Sequence, residues 1–490
     1  MSLINIQKLT FAYEGSSDKI FDKVSFSIDT DWRLGFCGRN GRGKTTFLKL
    51  LKGDLEYNGV ISKSVKFDYF PMEVKNEDNL VVEILNEVAP SAEIWQIQKE
   101  FSLLSIDEDI LWRQYLTLSG GEKTKILLAG LFLNENNFLL IDEPTNHLDI
   151  VGREILAKYL KGKKGFILVS HDRAFLDECV SHILSINKEN IEIISGNFST
   201  WLREKEKRDA FEMAENRKLE SEITRLKKAS ERTARWSDKV ESSKFGSGPV
   251  DRGFVGAKSA SMMKRSKAIE KRQNDSIEEK SKLLKNIERA DSIKIETEKY
   301  FAERLISMAD VAIIFGEKKV LKGFNISIER GQRIALEGVN GSGKSSVLKL
   351  IMGQKIPHSG NVNIGSRLKI SFVPQDASHL KGNLRDYARE EGVDETHFRM
   401  LLHKLDFSEN QFEKDMKDFS AGQKKKVLIA KSLAEKAHLY VWDEALNYVD
   451  ILSRIQIEEM LIENKPTMIF VEHDKTFCEK VATEIVKISG

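Results

Sequence analysis

The stretch Gly38–Thr46, GRNGRGKTT, follows the apolar run Leu34–Cys37 and sets a lysine directly before two hydroxyl residues. Gly38, Gly41 and Gly43 let backbone N–H groups close around phosphate oxygens. Lys44 reaches the terminal phosphates, and Thr45 is placed to hold a magnesium ion. A helix follows whose N-terminus adds a dipole favourable to an anion. Further on, LSGGE (Leu118–Glu122) opens another helix with small residues. In FLLIDEPTNHLD (Phe138–Asp149) a buried strand ends in Asp142 and Glu143. The first acid is placed to support the metal through water, the second to orient or deprotonate an attacking water. FILVSHD (Phe166–Asp172) gives a second buried strand that ends at His171, where a terminal phosphate would be sensed. A single Ser-Gly-Gly turn or a single histidine is commonly structural. The ordered set points to phosphoryl-transfer chemistry.

The same set returns in the second half. GVNGSGKSS covers Gly338–Ser346 with Lys344 and Ser345, SFVPQ ends at Gln375, and FSAGQ covers Phe419–Gln423. LYVWDEALNYVD supplies Asp443, Glu444 and Asp450, and FVEHD supplies His473. The first loop glycine precedes Leu118 by 80 residues and its counterpart precedes Phe419 by 81. Equal order and near-equal spacing imply a duplicated domain.

The elements that must position these residues are strands read from alternation, such as Ile4–Ile28, and the buried runs named above. Between the two sets lies about a hundred residues of charged, helix-forming sequence, Trp201–Tyr300. Apolar or small residues recur at Leu219, Ile223, Leu226, Ala229, Thr233, Trp236 and Val240, the spacing of a helical seam. The returning half carries Ile269, Ile277, Leu284 and Ile287. Between the halves, Ser242–Gly256 has four glycines and Pro249 and cannot continue a helix. The reading is two antiparallel helices of about forty residues, roughly 60 Å long, with a non-helical tip. From Arg225 to Arg272 there are fourteen Lys or Arg against five Asp or Glu, on a chain whose net charge is +2. An extended basic element with Trp236, Phe245 and Phe254 beside it suits a polyanion with bases to stack on. A solvated coiled coil with an ordinary charged surface is the alternative.

The chain's 490 residues allow two or three domains, and 41% hydrophobic content allows real cores. No run of apolar residues is long enough for a membrane span. The opening MSLINIQKLTF reads as a strand and not as a signal peptide. Cys37, Cys179 and Cys478 are scattered and odd in number, which suits a reducing cytoplasm.

Together the duplicated loop, LSGGE, IDEPTNHLD and SHD motifs resemble those of ATP-binding-cassette ATPases across nearly the whole chain. Two cassettes in one polypeptide, with a charged hairpin and no membrane segment, resemble the ABC-F family. The long linker and the WDEALNYVD motif are similar to its antibiotic-resistance, ribosome-protection members of the Lsa/Vga type. The fold implied is α/β: two tandem ATP-binding cassette (P-loop NTPase) domains at 1–199 and 301–490, joined by a long α-helical hairpin linker at 200–300 with a tip near 243–256. The function implied is an ATPase, with ATP and Mg²⁺ as cofactors. In its ATP-bound form it docks at the ribosomal tRNA exit site, against 23S rRNA and P-site tRNA. There it protects the peptidyl-transferase centre from lincosamides, pleuromutilins and streptogramin A, and hydrolysis releases it. A cytoplasmic monomer without a membrane partner is expected.

Carried onto this sequence, the resemblance implies two head-to-tail composite sites. One joins Gly38, Arg39, Asn40, Gly41, Arg42, Gly43, Lys44, Thr45 and Thr46 to Ser420, Ala421 and Gly422. The other joins Gly338, Val339, Asn340, Gly341, Ser342, Gly343, Lys344, Ser345 and Ser346 to Ser119, Gly120 and Gly121. Glu143 and Glu444 would be the catalytic carboxylates, with His171 and His473 as switch histidines. Thr45, Asp142, Ser345, Gln375 and Asp443 would serve Mg²⁺, and Tyr13 and Phe315 would stack on adenine. At the tip, Lys244, Phe245, Pro249, Val250 and Phe254 would lie nearest the drug or the tRNA end.

Three departures stand out. Met72 replaces the usual glutamine of the first Q-loop, Phe419 and Ala421 alter the second signature, and Ala445–Tyr448 replaces PTNH. Unequal sites are therefore expected. The short interval from Met72 to Leu118 leaves room for only a small arm insertion, and the end at Gly490 leaves none for a C-terminal extension. A housekeeping translation factor of the same family, acting on stalled ribosomes without drug, fits the same residues. A transporter ATPase would leave the hairpin unexplained, and a repair ATPase would carry a longer coiled coil.

Overall fold

The computed structural model describes residues 2–13, 19–134, 137–146, 148–186, 191–242, 295, 297–315, 318–339 and 341–488, with positions 264, 268, 269, 271, 272, 275 and 276. Alternation at Ile4 and Ile6, resumed at Leu9 and Phe11 after a register shift, turns one face of β1 (Leu3–Phe11) into the core. β1 pairs antiparallel with β2 (Phe21–Asp29) and, on its other edge, with β4 (Asn58–Ser62). A second, six-stranded sheet contains β3 (Arg33–Cys37), β5 (Lys66–Phe70), β6 (Asn137–Asp142), β7 (Phe166–Val169), β8 (His182–Ile186) and β9 (Ile191–Ser195). Its order is β5-β6-β7-β3-β8-β9, parallel except for the last pair. Phe138–Ile141 and Phe166–Val169 are buried throughout, as strands covered on both faces must be. Around this sheet run α1 (Lys44–Lys52), α2 (Val81–Val88), α3 (Ile94–Leu103), α4 (Gly120–Phe132), α5 (Ile150–Lys161) and α6 (Arg173–Cys179).

The second half repeats the plan. β10 (Arg304–Phe315) lies between β11 (Lys318–Glu329) and β13 (His358–Ile364) in an antiparallel sheet. A parallel sheet of order β14-β15-β16-β12-β17 holds β12 (Arg333–Glu337), β14 (Ile370–Val373), β15 (Leu439–Asp443), β16 (Met468–Val471) and β17 (Glu484–Lys487). In both halves the glycine-rich loop leaves a central strand, β3 or β12. The neighbouring strands deliver the acidic pair and the histidine to the same carboxyl edge, where open α/β sheets bind ligands.

The chain divides into one compact unit of Met1–Trp201 with Ala290–Gly490, which contains both cassettes, and a second of Leu202–Arg289. α7 (Phe198–Ser242) is a single helix of 45 residues, about 68 Å at the standard rise. The expected tip residues Lys244, Phe245, Pro249, Val250 and Phe254 lie outside the described residues, as does most of the returning half. Ile295 and Tyr300 are already packed on the second cassette. The Ile295 N–H donates to Asn464 Oδ1 at 3.1 Å and the Tyr300 hydroxyl to the Ser366 carbonyl at 2.9 Å. Among the described residues no helix is long and apolar enough to cross a membrane.

Candidate active site

The loop after β3 turns into α1 through Gly41 and Gly43, at φ of 81° and 90°. L side chains rarely adopt that conformation, and a Cβ at Gly43 would also press on Ile20 and Phe21. Lys44 Nζ lies along the inside of the loop and donates to the carbonyls of Gly38 and Arg39 at 2.6 and 3.2 Å. Burial lowers its pKa from the usual lysine value, against the pull of Asp450 and Glu143. The Thr45 hydroxyl donates to Asp142 Oδ2 at 2.9 Å, and the Tyr69 hydroxyl donates to the same oxygen at 3.1 Å. In the second loop, Gly341 and Gly343 have φ of 82° and 96°. Lys344 donates to the Gly338 and Val339 carbonyls at 2.8 and 2.9 Å, and Ser345 donates to Asp443 at 3.3 Å.

Each loop faces residues of the other cassette. A cavity of about 400 Å³ is lined by Tyr13, Ile20, Gly43, Lys44, Glu143 and His171 from the first half and by Ser420, Ala421, Gly422 and Tyr448 from the second. A second cavity of about 440 Å³ is lined by Val320, Lys344, Gln375, Glu444 and His473, with Gly120, Asn146 and Leu148 opposite. Both volumes suit a small-molecule ligand. Ser119 and Ser420 are the N-caps of their helices and accept from the N–H groups of Glu122 and Gln423, both at 3.3 Å. The helix starts they cap line the cavities, at Gly120 in one and at Ser420, Ala421 and Gly422 in the other, and a helix N-terminus favours an anion. The halves are also tied directly: Asn40 Nδ2 donates to the Tyr448 carbonyl at 2.8 Å, and Arg173 pairs with Glu458 at 2.6 Å.

The acids differ between sites. Glu444 accepts from Gln375 Nε2 at 2.9 Å, Asn447 Nδ2 at 2.7 Å and His473 Nε2 at 3.2 Å. Burial alone would raise its pKa, but the His473 and Gln375 donors and the Lys344 charge bring it below the usual value. Glu143 is partly buried with both carboxylate oxygens covered; His171 Nε2 stands 3.3 Å from Oε1 and the His171 backbone also faces the carboxylate. Burial, then the neighbouring Asp142 charge, push the Glu143 pKa up to about 8. Burial also holds His171 well below the usual histidine value, so it is neutral at pH 7.

Several expected residues sit elsewhere than the motifs imply. Arg39 and Arg42 are turned toward Asp406 of the other cassette at 3.7 and 3.6 Å. Of the first signature only Gly120 lines the second cavity. Val339 is 57% exposed, and Ser342 is buried. Gln375 lines the cavity, but its amide is spent on Glu444, not on Asp443. Tyr13 lines the first cavity and its hydroxyl is 2.9 Å from Thr46 Oγ1. Asn340 and the Phe315 side chain lie outside the described residues. Sequence reading passed over Tyr69, Asn146, Tyr448, Ile20 and Val320. The last two were detectable, because they share the 300-residue offset of the two glycine loops.

A family model for ABC transporters matches residues 21–146 and 321–447. The ribosome protection protein VmlR of Bacillus subtilis is 30% identical over 498 residues, covering 98% of this chain and 86% of that protein. The ATP-binding protein Uup of Buchnera aphidicola is 28% identical over 506 residues, covering 98% and 80%. Among solved structures, an archaeal ribosome recycling factor in complex with a ribosomal stalk protein matches with a TM-score of 0.65 at 19% identity, covering 99% of this chain and 87% of that one. An RNase-L inhibitor matches with a TM-score of 0.61 at 20% identity, covering 93% and 83%. At such identities these structures speak for the tandem-cassette fold.

Proposed function

We propose, from the premise that the chain belongs to the ATP-binding-cassette family and to its ABC-F branch, that this ATPase works on the ribosome and protects it from drugs of the peptidyl-transferase centre. The observation that carries the mechanical part is the pair of shared cavities, each walled by the loop of one cassette and the capped helix start of the other. Nucleotide in either cavity bridges both halves, so binding favours closure and loss of the terminal phosphate favours opening. The ribosomal target is supported by the likeness to VmlR and by the basic character of 225–272.

Within each site the residues divide the work. Lys44 and Lys344 neutralise terminal phosphate charge, and the glycine-loop N–H groups cradle the remaining oxygens. The signature helices bring N–H groups from the opposite side. Glu143 and Glu444 orient the attacking water, and His171 and His473 contact both that acid and the space where the γ-phosphate would lie. Thr45 with Asp142, and Ser345 with Asp443, place one hydroxyl beside one carboxylate. That donor set fits magnesium, which takes few protein oxygens and shares itself with phosphates; bound there, it would supply positive charge against the phosphates. The domain limits 1–199, 200–300 and 301–490 follow the same reading, with the segment around Lys244–Phe254 directed at the drug site, in lincosamide, pleuromutilin and streptogramin A resistance.

Co-sedimentation of the Glu143→Gln/Glu444→Gln chain with purified ribosomes tests the reading. ATP-dependent pelleting, with release of bound lincosamide, is expected. Pelleting without drug release would favour a housekeeping factor acting on stalled ribosomes. No pelleting would remove the ribosome from the reading.

A further inference from the structure

The two composite sites are not copies, and the difference begins two residues before the Q-loop proline. Phe372 precedes Val373, Pro374 and Gln375 in the second half; Tyr69 precedes Phe70, Pro71 and Met72 in the first. Gln375 donates to Glu444 at 2.9 Å, whereas the Met72 thioether has no donor to offer. The first site places its polar group on the strand instead. The Tyr69 hydroxyl donates to Asp142 at 3.1 Å, so that Asp142 Oδ2 accepts from two hydroxyls. Phe372 has no hydroxyl with which to do the same. Glu444 is held by Gln375 and Asn447 as well as by His473, whereas Glu143, whose oxygens are buried, has only His171 beside it, with Nε2 3.3 Å from Oε1.

We propose that Met72 in the glutamine place makes the first composite site the slow, nucleotide-retaining one and leaves turnover to the second, and that Tyr69 is a positioning residue which partly offsets the missing glutamine by holding Asp142. A carboxylate that must aim a water needs its own oxygens held, and small misplacement is costly. At the second site the holding contacts fall on that acid. At the first they fall on its neighbour. This rests on the reading of Glu143 and Glu444 as the water-orienting acids.

The test isolates each site in the full chain: Glu444→Gln leaves the first active and Glu143→Gln the second. Two quantities are read, single-turnover ATP hydrolysis and the nucleotide retained after desalting, resolved into ATP and ADP. The first site is expected to be slower by about tenfold, and the native chain, with no substitution, to retain about one ATP after its ADP is lost. Adding Met72→Gln to the Glu444→Gln chain raises the rate severalfold and shortens ATP retention. Adding Tyr69→Phe to that chain lowers kcat severalfold while KM for ATP holds. Equal rates at the two sites, an empty native chain after desalting, or no response to Met72→Gln would overturn the proposal. A Tyr69→Phe effect on KM alone would reduce Tyr69 to a packing residue and overturn its role. If the Glu143→Gln/Glu444→Gln chain hydrolyses ATP at the native rate, the assignment of the acids fails first and the inference falls with it.

Discussion

Arg173 and Glu458 form an ion pair across the two cassettes at 2.6 Å, with side chains only 6% and 3% exposed. Asp474 lies 3.3 Å from the same guanidinium nitrogen, and Lys480 donates to Glu458 at 2.8 Å. The duplicated positions carry different residues: Lys475 stands for Arg173, Ala157 for Glu458 and Glu178 for Lys480. A cavity of about 200 Å³ lies there, lined by Ala157, Glu178 and Lys475. One side of the cassette interface is thus pinned by a buried ion pair between the halves; on the other, Arg153, paired with Asp172 of its own half at 2.8 Å, reaches across only to the His473 carbonyl at 3.4 Å.

Removing one partner of a buried pair strands the other. Arg173→Met is expected to destabilise the cassette unit by about 3 kcal/mol. The double change Arg173→Met/Glu458→Leu should recover part of that loss, because no carboxylate is then left at position 458. Urea-denaturation midpoints of the native, single and double variants decide it; a double variant as weak as the single would contradict this account.

The contacts of Arg39 and Arg42 with Asp406 offer a contrast. At 3.7 and 3.6 Å, with Asp406 24% exposed, they are long and partly hydrated. Asp406→Asn should cost under about 1 kcal/mol, and 0.5 M salt should erase most of the difference. A loss comparable to that of Arg173→Met would mean these pairs matter far more than their geometry suggests.

Gly422 has no space for a side chain. A Cβ there would overlap Asn40 Nδ2 of the opposite cassette and the Tyr448 carbonyl. Asn40 can rotate, but the carbonyl is backbone. Gly422→Ala should therefore displace the Tyr448 carbonyl and break its hydrogen bond from Asn40 across the cassettes, lowering ATP retention at the first site, measured in the Glu444→Gln chain. Retention at the Glu444→Gln level would show that the loop yields.

Glu472 is buried and accepts from the Leu446 N–H at 2.9 Å. Burial pushes its pKa up to about 7, although the Leu446 N–H, Arg454 and Lys425 pull the other way. A raised carboxyl pKa means the folded state holds the proton more tightly than the unfolded one. Its contribution is complete below the unfolded value of 4.5 and is lost as pH rises to about 7. The slope is roughly 1.4 kcal/mol for each pH unit in that window. Denaturation midpoints of Glu472→Gln against native, taken from pH 4.5 to 8, should show the native chain losing its relative advantage across that interval; parallel curves would exclude the contribution.

The glycine loops, acidic strand ends and histidines were legible because each is a short run whose local geometry follows from its own residues. The strands β6 and β7 were legible for the same reason, as unbroken apolar runs. Long-range partners were not. Arg173 and Glu458 are 285 residues apart, and nothing local to either marks the other. The Tyr69 hydroxyl was hidden in an ordinary aromatic strand position, and only the register of β5 on β6 brings it to Asp142. Met72 marks the missing glutamine in the sequence, but the contact of Tyr69 with Asp142 needs the folded sheet.

Each cavity borrows a wall from the opposite half, so neither half owns a complete site. A substitution in the signature helix of one cassette is expected to change hydrolysis at the glycine loop of the other, and exchange of one cassette alone for a homologue should disturb both cavities. The duplicated halves are free to differ in detail, as Tyr69 and Phe372 do, yet they are bound to be inherited as a matched pair.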